Sequence, residues 1–245
     1  MLQPEIAESW EFTSPTVLEF KLRKGIKWHN KAPLNGRELT ADDVVYTLNE
    51  RFAKGLAGKT YVGQVFFDNA EAVDANTVRL NFKQPFSGFI SAFPSGNRQG
   101  WIVAPEASAE DDLANPEASW VGTGPFMFSE YQSGVKVSFE RNPDYFKDGL
   151  PYADAVVAHI IPDAATRLAA LRSGLINVFP AAGPQAIQQI QKTNPDFYTK
   201  SCPSLFHLGI RLRLDKEPWN DVRVRRAVSM ALDRDAIVSA ALRGD

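Results

Sequence analysis

Short segments in which apolar and polar residues alternate are the feature that most constrains the fold of this chain. Val17–Leu22 nearly alternates, and Thr77–Phe82 alternates throughout. Because successive side chains of a strand point to opposite faces, such segments predict strands with one buried face. We expect further strands at residues 10–12 and 65–73, the latter forming a hairpin with Thr77–Phe82 around the turn residues 74–76.

Helical spacing follows in residues 40–52. Thr40 precedes apolar residues at Ala41, Val45 and Leu48, which share one helix face. Later segments predict a hairpin of residues 126–131 and 135–139. The apolar run at residues 155–161 predicts a strand covered on both faces. With a helix that begins after Asp163 and a strand at residues 176–179, it predicts a parallel β-α-β unit. A short strand is also expected at residues 101–104.

Composition excludes several classes of function. The 245 residues include 27 Lys and Arg against 29 Asp and Glu, a net charge of −2, so a bulk attraction to nucleic acid is absent. A single cysteine, Cys202, excludes an intrachain disulfide and a cysteine-based zinc site. No run approaches the ~18 apolar residues of a membrane span. Met1 is not followed by the pattern of a signal peptide.

Catalytic and cofactor motifs are absent from the sequence. Residues 58–60 read Gly-Lys-Thr, but a phosphate-binding loop needs a glycine where Ala53 stands. His29, His159 and His207 are far apart and lack metal-ligand spacing, so each is interpreted as structural. No Gly-x-Ser-x-Gly turn occurs. We therefore expect a binding protein rather than an enzyme, with no cofactor and no metal site.

Eight sequence blocks occur in a distinctive order. They are PEIAESWE (residues 4–11), FKLRKGIKWH (20–29), LTADDVVYTL (39–48), GTGPF (122–126), ERNPDYF (140–146), IIPDAATRL (160–168), PWNDVRVRRA (218–227) and ALDRDAI (231–237). In sequence and order, these blocks resemble the family 5 extracellular solute-binding proteins of ABC importers. The resemblance extends over nearly the whole chain.

The resemblance implies a mixed α/β fold of the type II periplasmic binding protein kind, with two lobes and an extra domain on the first. Residues 1–9 and 119–200 would belong to the first lobe and residues 10–118 to the extra domain. Residues 201–209 would form a hinge strand, and residues 210–245 the start of a truncated second lobe. Family members are longer and carry an export signal, so we expect this chain to be an internal fragment.

The resemblance also implies a function. The protein would capture a small solute (a peptide, an oligosaccharide or a metal chelate) between its lobes and deliver it to an ABC permease in the inner membrane. It would be a monomer that binds no nucleic acid, located in the periplasm or anchored outside the cell as a lipoprotein. The alternative is a ligand-sensing module of a cytoplasmic transcription regulator with the same fold. A signal peptide encoded upstream would favour the first reading, and a helix-turn-helix the second.

Candidate ligand contacts follow from the same mapping. Members of the family contact ligand from the hinge strand, and the Gly-Thr-Gly block brings the chain back towards the cleft. In the extra domain, Phe93 and Trp101 could line the cleft or could equally belong to the core, and Arg98 could lie on the surface instead of lining the cleft. The predicted ligand-binding residues are Phe93, Arg98, Trp101, Thr123, Gly124, Phe206 and His207.

Overall fold

A computed structural model describes residues 3–52, 65–88, 90, 101–110, 120–180, 183–200 and 210–242. The chain divides into two compact units, residues 1–160 and residues 161–245. The first unit contains all the strands of the described residues, and the second contains helices joined by irregular segments.

The first sheet of the N-terminal unit has four antiparallel strands in the order β1-β2-β4-β3. The strands are β1 (Ala7–Ser14), β2 (Val17–Leu22), β3 (Phe67–Asp74) and β4 (Thr77–Phe82). The alternation therefore predicted β2 and β4 with their observed bounds. The predicted hairpin is also confirmed: β3 pairs with β4, and the Asp74 carboxylate accepts a hydrogen bond from the Asn76 N–H at 2.8 Å.

Apolar side chains of this sheet form the main core. Leu18 on β2 lies opposite Leu80 on β4, and both are buried. Helix α1 (Ala41–Tyr46) contacts β3 and β4, and Trp28 and Leu39 are buried in the same cluster. The predicted helix is thus confirmed, although after Tyr46 it widens into a π-helical turn, Thr47–Phe52, which the sequence pattern did not predict.

The second sheet consists of three antiparallel strands in the order β5-β6-β7. The strands are β5 (Phe126–Gln132), β6 (Lys136–Arg141) and β7 (Ala155–His159). Gly134 has a φ of 71° in the turn between β5 and β6, a conformation that glycine adopts without strain. Trp120 packs edge-on against Phe128 at a centroid distance of 5.2 Å, and Phe139 lies in the same aromatic cluster.

Three expectations about the strands are wrong. The apolar strand β7 pairs antiparallel with β6, and all five of its residues are exposed, so no second layer covers it in the described residues. Residues 176–179 form no strand, so the parallel β-α-β unit is not formed. Residues 101–104 also form no strand. An apolar run predicts an extended segment, but the strand with which it pairs depends on which other segment of the fold lies beside it. Here β6 lies alongside, joined to β7 by residues 142–154.

The C-terminal unit contains four α-helices among its described residues, and each N-cap residue adopts an extended conformation. They are α2 (Ala164–Arg172), α3 (Pro184–Thr193), α4 (Val222–Ala231) and α5 (Arg234–Ile237). The helix predicted after Asp163 is confirmed: Asp163 accepts a hydrogen bond from the Thr166 N–H at 2.8 Å. Asp221 caps α4 in the same way and accepts a hydrogen bond from the Arg223 N–H at 2.8 Å. Within the described ranges, every helix is too short or too polar to traverse a bilayer.

Candidate ligand-binding segment

Residues 120–125 lead directly into β5 and carry the Gly-Thr-Gly block. Val121 is buried, whereas Thr123 and Gly124 are half-buried. We call residues 122–124 the GTG segment. The segment is irregular, so its conformation depends on side chains that reach it from elsewhere in the fold.

His29 holds the GTG segment at both ends. The Gly122 N–H donates to His29 Nδ1 at 3.1 Å, and His29 Nε2 lies 3.0 Å from the Gly124 carbonyl oxygen. The His29 backbone N–H also donates to the Gly122 carbonyl at 2.8 Å. Because Nδ1 accepts, Nε2 carries the ring proton and donates to Gly124. The ring is therefore a neutral imidazole with both nitrogens satisfied.

The surroundings of His29 favour this neutral form. The residue is only 4% exposed, and burial lowers the pKa of its imidazole below the ordinary value of 6.5. The hydrogen bond to the Gly124 carbonyl acts in the opposite direction, and the nearby Lys31 charge lowers the pKa further. The sequence predicted a structural role for His29 but not that its ring holds the GTG segment.

Asn142 is a second support. Its side-chain amide donates to the Gly124 carbonyl at 2.9 Å, and its backbone N–H donates to the Pro125 carbonyl at 2.9 Å. Its own side-chain oxygen accepts from the Asp144 N–H at 3.0 Å, which fixes the orientation of the amide. Sequence reasoning did not assign Asn142 to the site. Its position within the block ERNPDYF was the available signal.

Thr123 and Gly124 supply hydrogen-bond donors within this segment. In the part of the chain that the structure describes, the Thr123 hydroxyl, the Thr123 N–H and the Gly124 N–H have no hydrogen-bond partner. A Cβ placed on Gly124 would meet no other heavy atom within 4 Å, so open space lies beside the segment. Hydroxyl and amide N–H groups beside open space can bind a carbonyl or a carboxylate oxygen.

Trp101 lies in a different segment of the same unit. Its neighbour Val103 exchanges two hydrogen bonds with the Thr47 hydroxyl, at 2.9 and 3.0 Å, and Ala104 is buried. Trp101 itself is 67% exposed, which excludes the alternative that it belongs to the core. The remaining predicted contacts lie outside the described residues; they are Phe93, Arg98, Phe206 and His207.

A buried carboxylate stabilises the turn that carries His29. Asp43 accepts two hydrogen bonds from the Arg37 guanidinium, at 2.9 and 2.6 Å, and one from the Trp28 indole at 3.2 Å. The Thr40 N–H adds a fourth at 3.0 Å. Burial alone would raise the pKa of Asp43, but these hydrogen bonds outweigh burial and hold the pKa below its ordinary value of 3.8. Arg37 also pairs with Glu106, at 2.9 and 2.8 Å.

The model of the bacterial extracellular solute-binding proteins, family 5 (Middle), matches residues 1–245, the whole chain. The chain belongs to this family. The resemblance inferred from the sequence blocks is therefore confirmed. The mixed α/β fold expected for a family 5 protein is confirmed as well, because solved structures of solute-binding proteins match nearly the whole chain.

Relatives of this family 5 chain are binding proteins. The chain is 32% identical to the oligopeptide-binding protein AppA of Bacillus subtilis over 96% of its length, which is 42% of that protein. It is 30% identical to the dipeptide-binding protein of Escherichia coli over 98% of its length, which is 48% of that protein. The chain thus spans about half the length of the curated relatives that it matches.

A solved structure of a binding protein has a similar fold. The binding protein AgaA from A. tumefaciens R10, in complex with agropinic acid, superposes with a TM-score of 0.76 at 27% identity. The match covers 98% of this chain and 47% of that one. In the described ranges, moreover, no group of three or more His, Cys, Asp or Glu side chains is arranged to hold a metal ion.

Proposed function

We propose that this family 5 chain is part of the substrate-binding component of an ABC importer, which captures a small solute and delivers it to a membrane permease. The family match over residues 1–245 is the observation that carries the proposal. Two of its relatives are an oligopeptide-binding and a dipeptide-binding protein, which favours a peptide as the solute. The protein would act without catalysis, as a monomer in the periplasm or outside the cell.

The proposed organisation follows the family resemblance. Residues 1–9 and 119–200 would form part of a first lobe and residues 10–118 an extra domain, with a hinge strand at residues 201–209 and the second lobe beginning at residue 210. Solute would bind between the lobes and be enclosed when they close, so that binding is coupled to lobe position.

Within this organisation, the GTG segment is a proposed solute contact. The free Thr123 hydroxyl and the two free N–H groups of Thr123 and Gly124 support it, because they match the carbonyl and carboxylate oxygens of a peptide. The exposed Trp101 is a second proposed contact, suited to packing against an apolar part of the solute. The other proposed contacts rest on the resemblance alone; they are Phe93, Arg98, Phe206 and His207.

The experiment is a ligand screen on the protein purified from the complete reading frame that contains this sequence. The panel contains dialanine, trialanine, a nonapeptide library, maltotriose, agropinic acid and a nickel–histidine chelate. A solute that binds the folded state raises the melting temperature, and at about 100 times its Kd it adds about 2.7 kcal/mol to the free energy of unfolding. Calorimetric titration then measures the Kd. If no member of the panel binds, the proposed function is wrong.

A glycine variant tests the GTG segment within the same screen. Gly124→Ala places a methyl group in open space, so we expect an unchanged melting temperature and weaker solute binding. Gly183→Ala is the matched control, since its Cβ also meets no atom within 4 Å and it lies at the start of α3. Equal solute affinity in the two variants would remove the GTG segment from the binding site.

A further inference from the structure

A single buried side chain joins two parts of the first unit that are distant in sequence. His29 contacts Gly122 and Gly124, which are 93 and 95 positions further along the chain, through both of its ring nitrogens. The GTG segment receives a further hydrogen bond from Asn142, a side chain that cannot titrate. Of these two supports, only the imidazole can change its hydrogen bonding with pH.

The hydrogen bonds around His29 fit only a neutral ring that carries its proton on Nε2. The Gly122 N–H points at Nδ1, so a proton added there would place two donors against each other. The bond from Nε2 to the Gly124 carbonyl would survive, because Nε2 donates in both the neutral and the charged ring. Protonation therefore releases the Gly122 N–H, while the Gly122 carbonyl stays bonded to the His29 backbone N–H and Gly124 stays held by His29 and Asn142.

No neighbouring charge compensates for a proton on His29 in the described residues. The positive charge of Lys31, in the same turn, disfavours a positive charge on the His29 ring. The Lys31 ammonium itself donates a hydrogen bond to the Phe128 carbonyl. Residues 120–126 contain no titratable side chain. Asn142, which approaches from the end of β6, is uncharged. A charged imidazole would therefore be buried without a carboxylate partner, which is costly.

We propose that His29 is a positioning residue: its neutral imidazole holds the GTG segment in the conformation that binds solute, so solute binding weakens when the ring takes up a proton. This inference rests on the proposed function, because it assumes that the GTG segment contacts solute. Without the bond from the Gly122 N–H, His29 holds the GTG segment only through the Gly122 carbonyl and Gly124, so Thr123 and its donors are fixed less tightly. We expect affinity to fall about tenfold as the pH drops through the lowered pKa of His29, an ordinary size for coupling between two sites.

The first experiment tests the geometry without any solute. In nitrogen-15 NMR spectra of the complete protein, the neutral His29 ring should carry its proton on Nε2. As the pH falls from about 8 through the lowered pKa of the ring, the Gly122 amide signal should shift with the same midpoint as the ring. A ring protonated on Nδ1 at neutral pH would overturn the inference, and so would a Gly122 signal that ignores the titration.

The second experiment measures the Kd of trialanine, or of the panel member that binds most tightly, across the same pH range. His29→Gln keeps an acceptor oxygen and an N–H donor but does not titrate, so binding should persist and lose its pH dependence. His159→Gln, which replaces an exposed histidine on β7, is the matched control and should retain the wild-type profile. Asn142→Ala should weaken binding by a similar factor at every pH.

The outcomes separate the inference from the function on which it rests. If the wild-type protein binds solute but His29→Gln keeps the same pH dependence, the inference is wrong and the proposed function stands. If no solute binds to the wild-type protein at any pH, the proposed function is wrong and the binding role of His29 is wrong with it. The NMR experiment would then still decide whether the ring holds Gly122.

Discussion

Replacing Asp43 by alanine is expected to destabilise the first unit strongly. Asp43 is 2% exposed, and its side chain accepts four hydrogen bonds, two of them from the Arg37 guanidinium. Alanine removes all four acceptor contacts at once. The Trp28 indole N–H and the Thr40 N–H then lose these partners inside the protein, and a small cavity remains where the carboxylate was.

The magnitude follows from what each donor can do afterwards. Arg37 keeps its pair with Glu106 and its side chain is 33% exposed, so its charge is not left isolated. Each buried donor that loses its partner costs about 1–3 kcal/mol. Removing one partner of a buried ion pair costs about 3–5 kcal/mol in all. Arg37 keeps Glu106 as a partner and remains in contact with water. We therefore expect Asp43→Ala to lower the free energy of unfolding by about 3–4 kcal/mol, a large share of the ~5–15 kcal/mol that stabilises a typical domain.

Urea unfolding followed by tryptophan fluorescence measures this loss, since Trp28 is itself bonded to Asp43. The control is Asp42→Ala, which removes an exposed carboxylate from the same first helical turn and leaves the network intact. We expect the control to lose at most about 1 kcal/mol, the size of a charge–helix-dipole contribution. If Asp43→Ala lost no more than Asp42→Ala, the buried carboxylate would not stabilise this turn and the reasoning would fail.

Three further changes test the first and second units. Leu80→Ala, at a core position 1% exposed, should cost about 3 kcal/mol in urea unfolding, whereas Arg79→Ala beside it should cost little. Acid should remove the contribution of Asp43 to the free energy of unfolding, which is complete above pH 3.8 and is lost as the pH falls through the lowered pKa of Asp43. Asp43→Asn should abolish this dependence of stability on pH. Asp163→Ala should reduce helical circular dichroism, because α2 loses its N-cap, and Asp163→Asn should restore it.

Local patterns predicted the elements whose determinants lie within a few residues. Alternation located β2 and β4, and the turn residues between β3 and β4 predicted their pairing. The capping aspartates Asp163 and Asp221 act on N–H groups two or three residues away, so their helices could also be predicted. In each of these elements, the stabilising contacts involve neighbours in sequence.

Contacts between distant residues could not be predicted in the same way. The apolar residues of β7 indicate a strand, yet nothing within the strand says that β6 is its partner or that its faces are exposed. The role of His29 depends on backbone atoms more than 90 positions away. Sequence reasoning could propose Thr123 and Gly124 as contacts by resemblance, but not the side chains that hold them.

The pairing of β2 with β4 has a consequence for the order of folding. Each hairpin of the first sheet closes a short turn, whereas Glu19 on β2 and Arg79 on β4 are 60 positions apart. Closing a loop of that length costs about 4 kcal/mol in chain entropy. The two hairpins should therefore form independently and early, and their docking through Leu18 and Leu80 should limit the refolding rate. Lengthening the connection should slow that step only slightly, since each doubling adds about 0.6 kcal/mol.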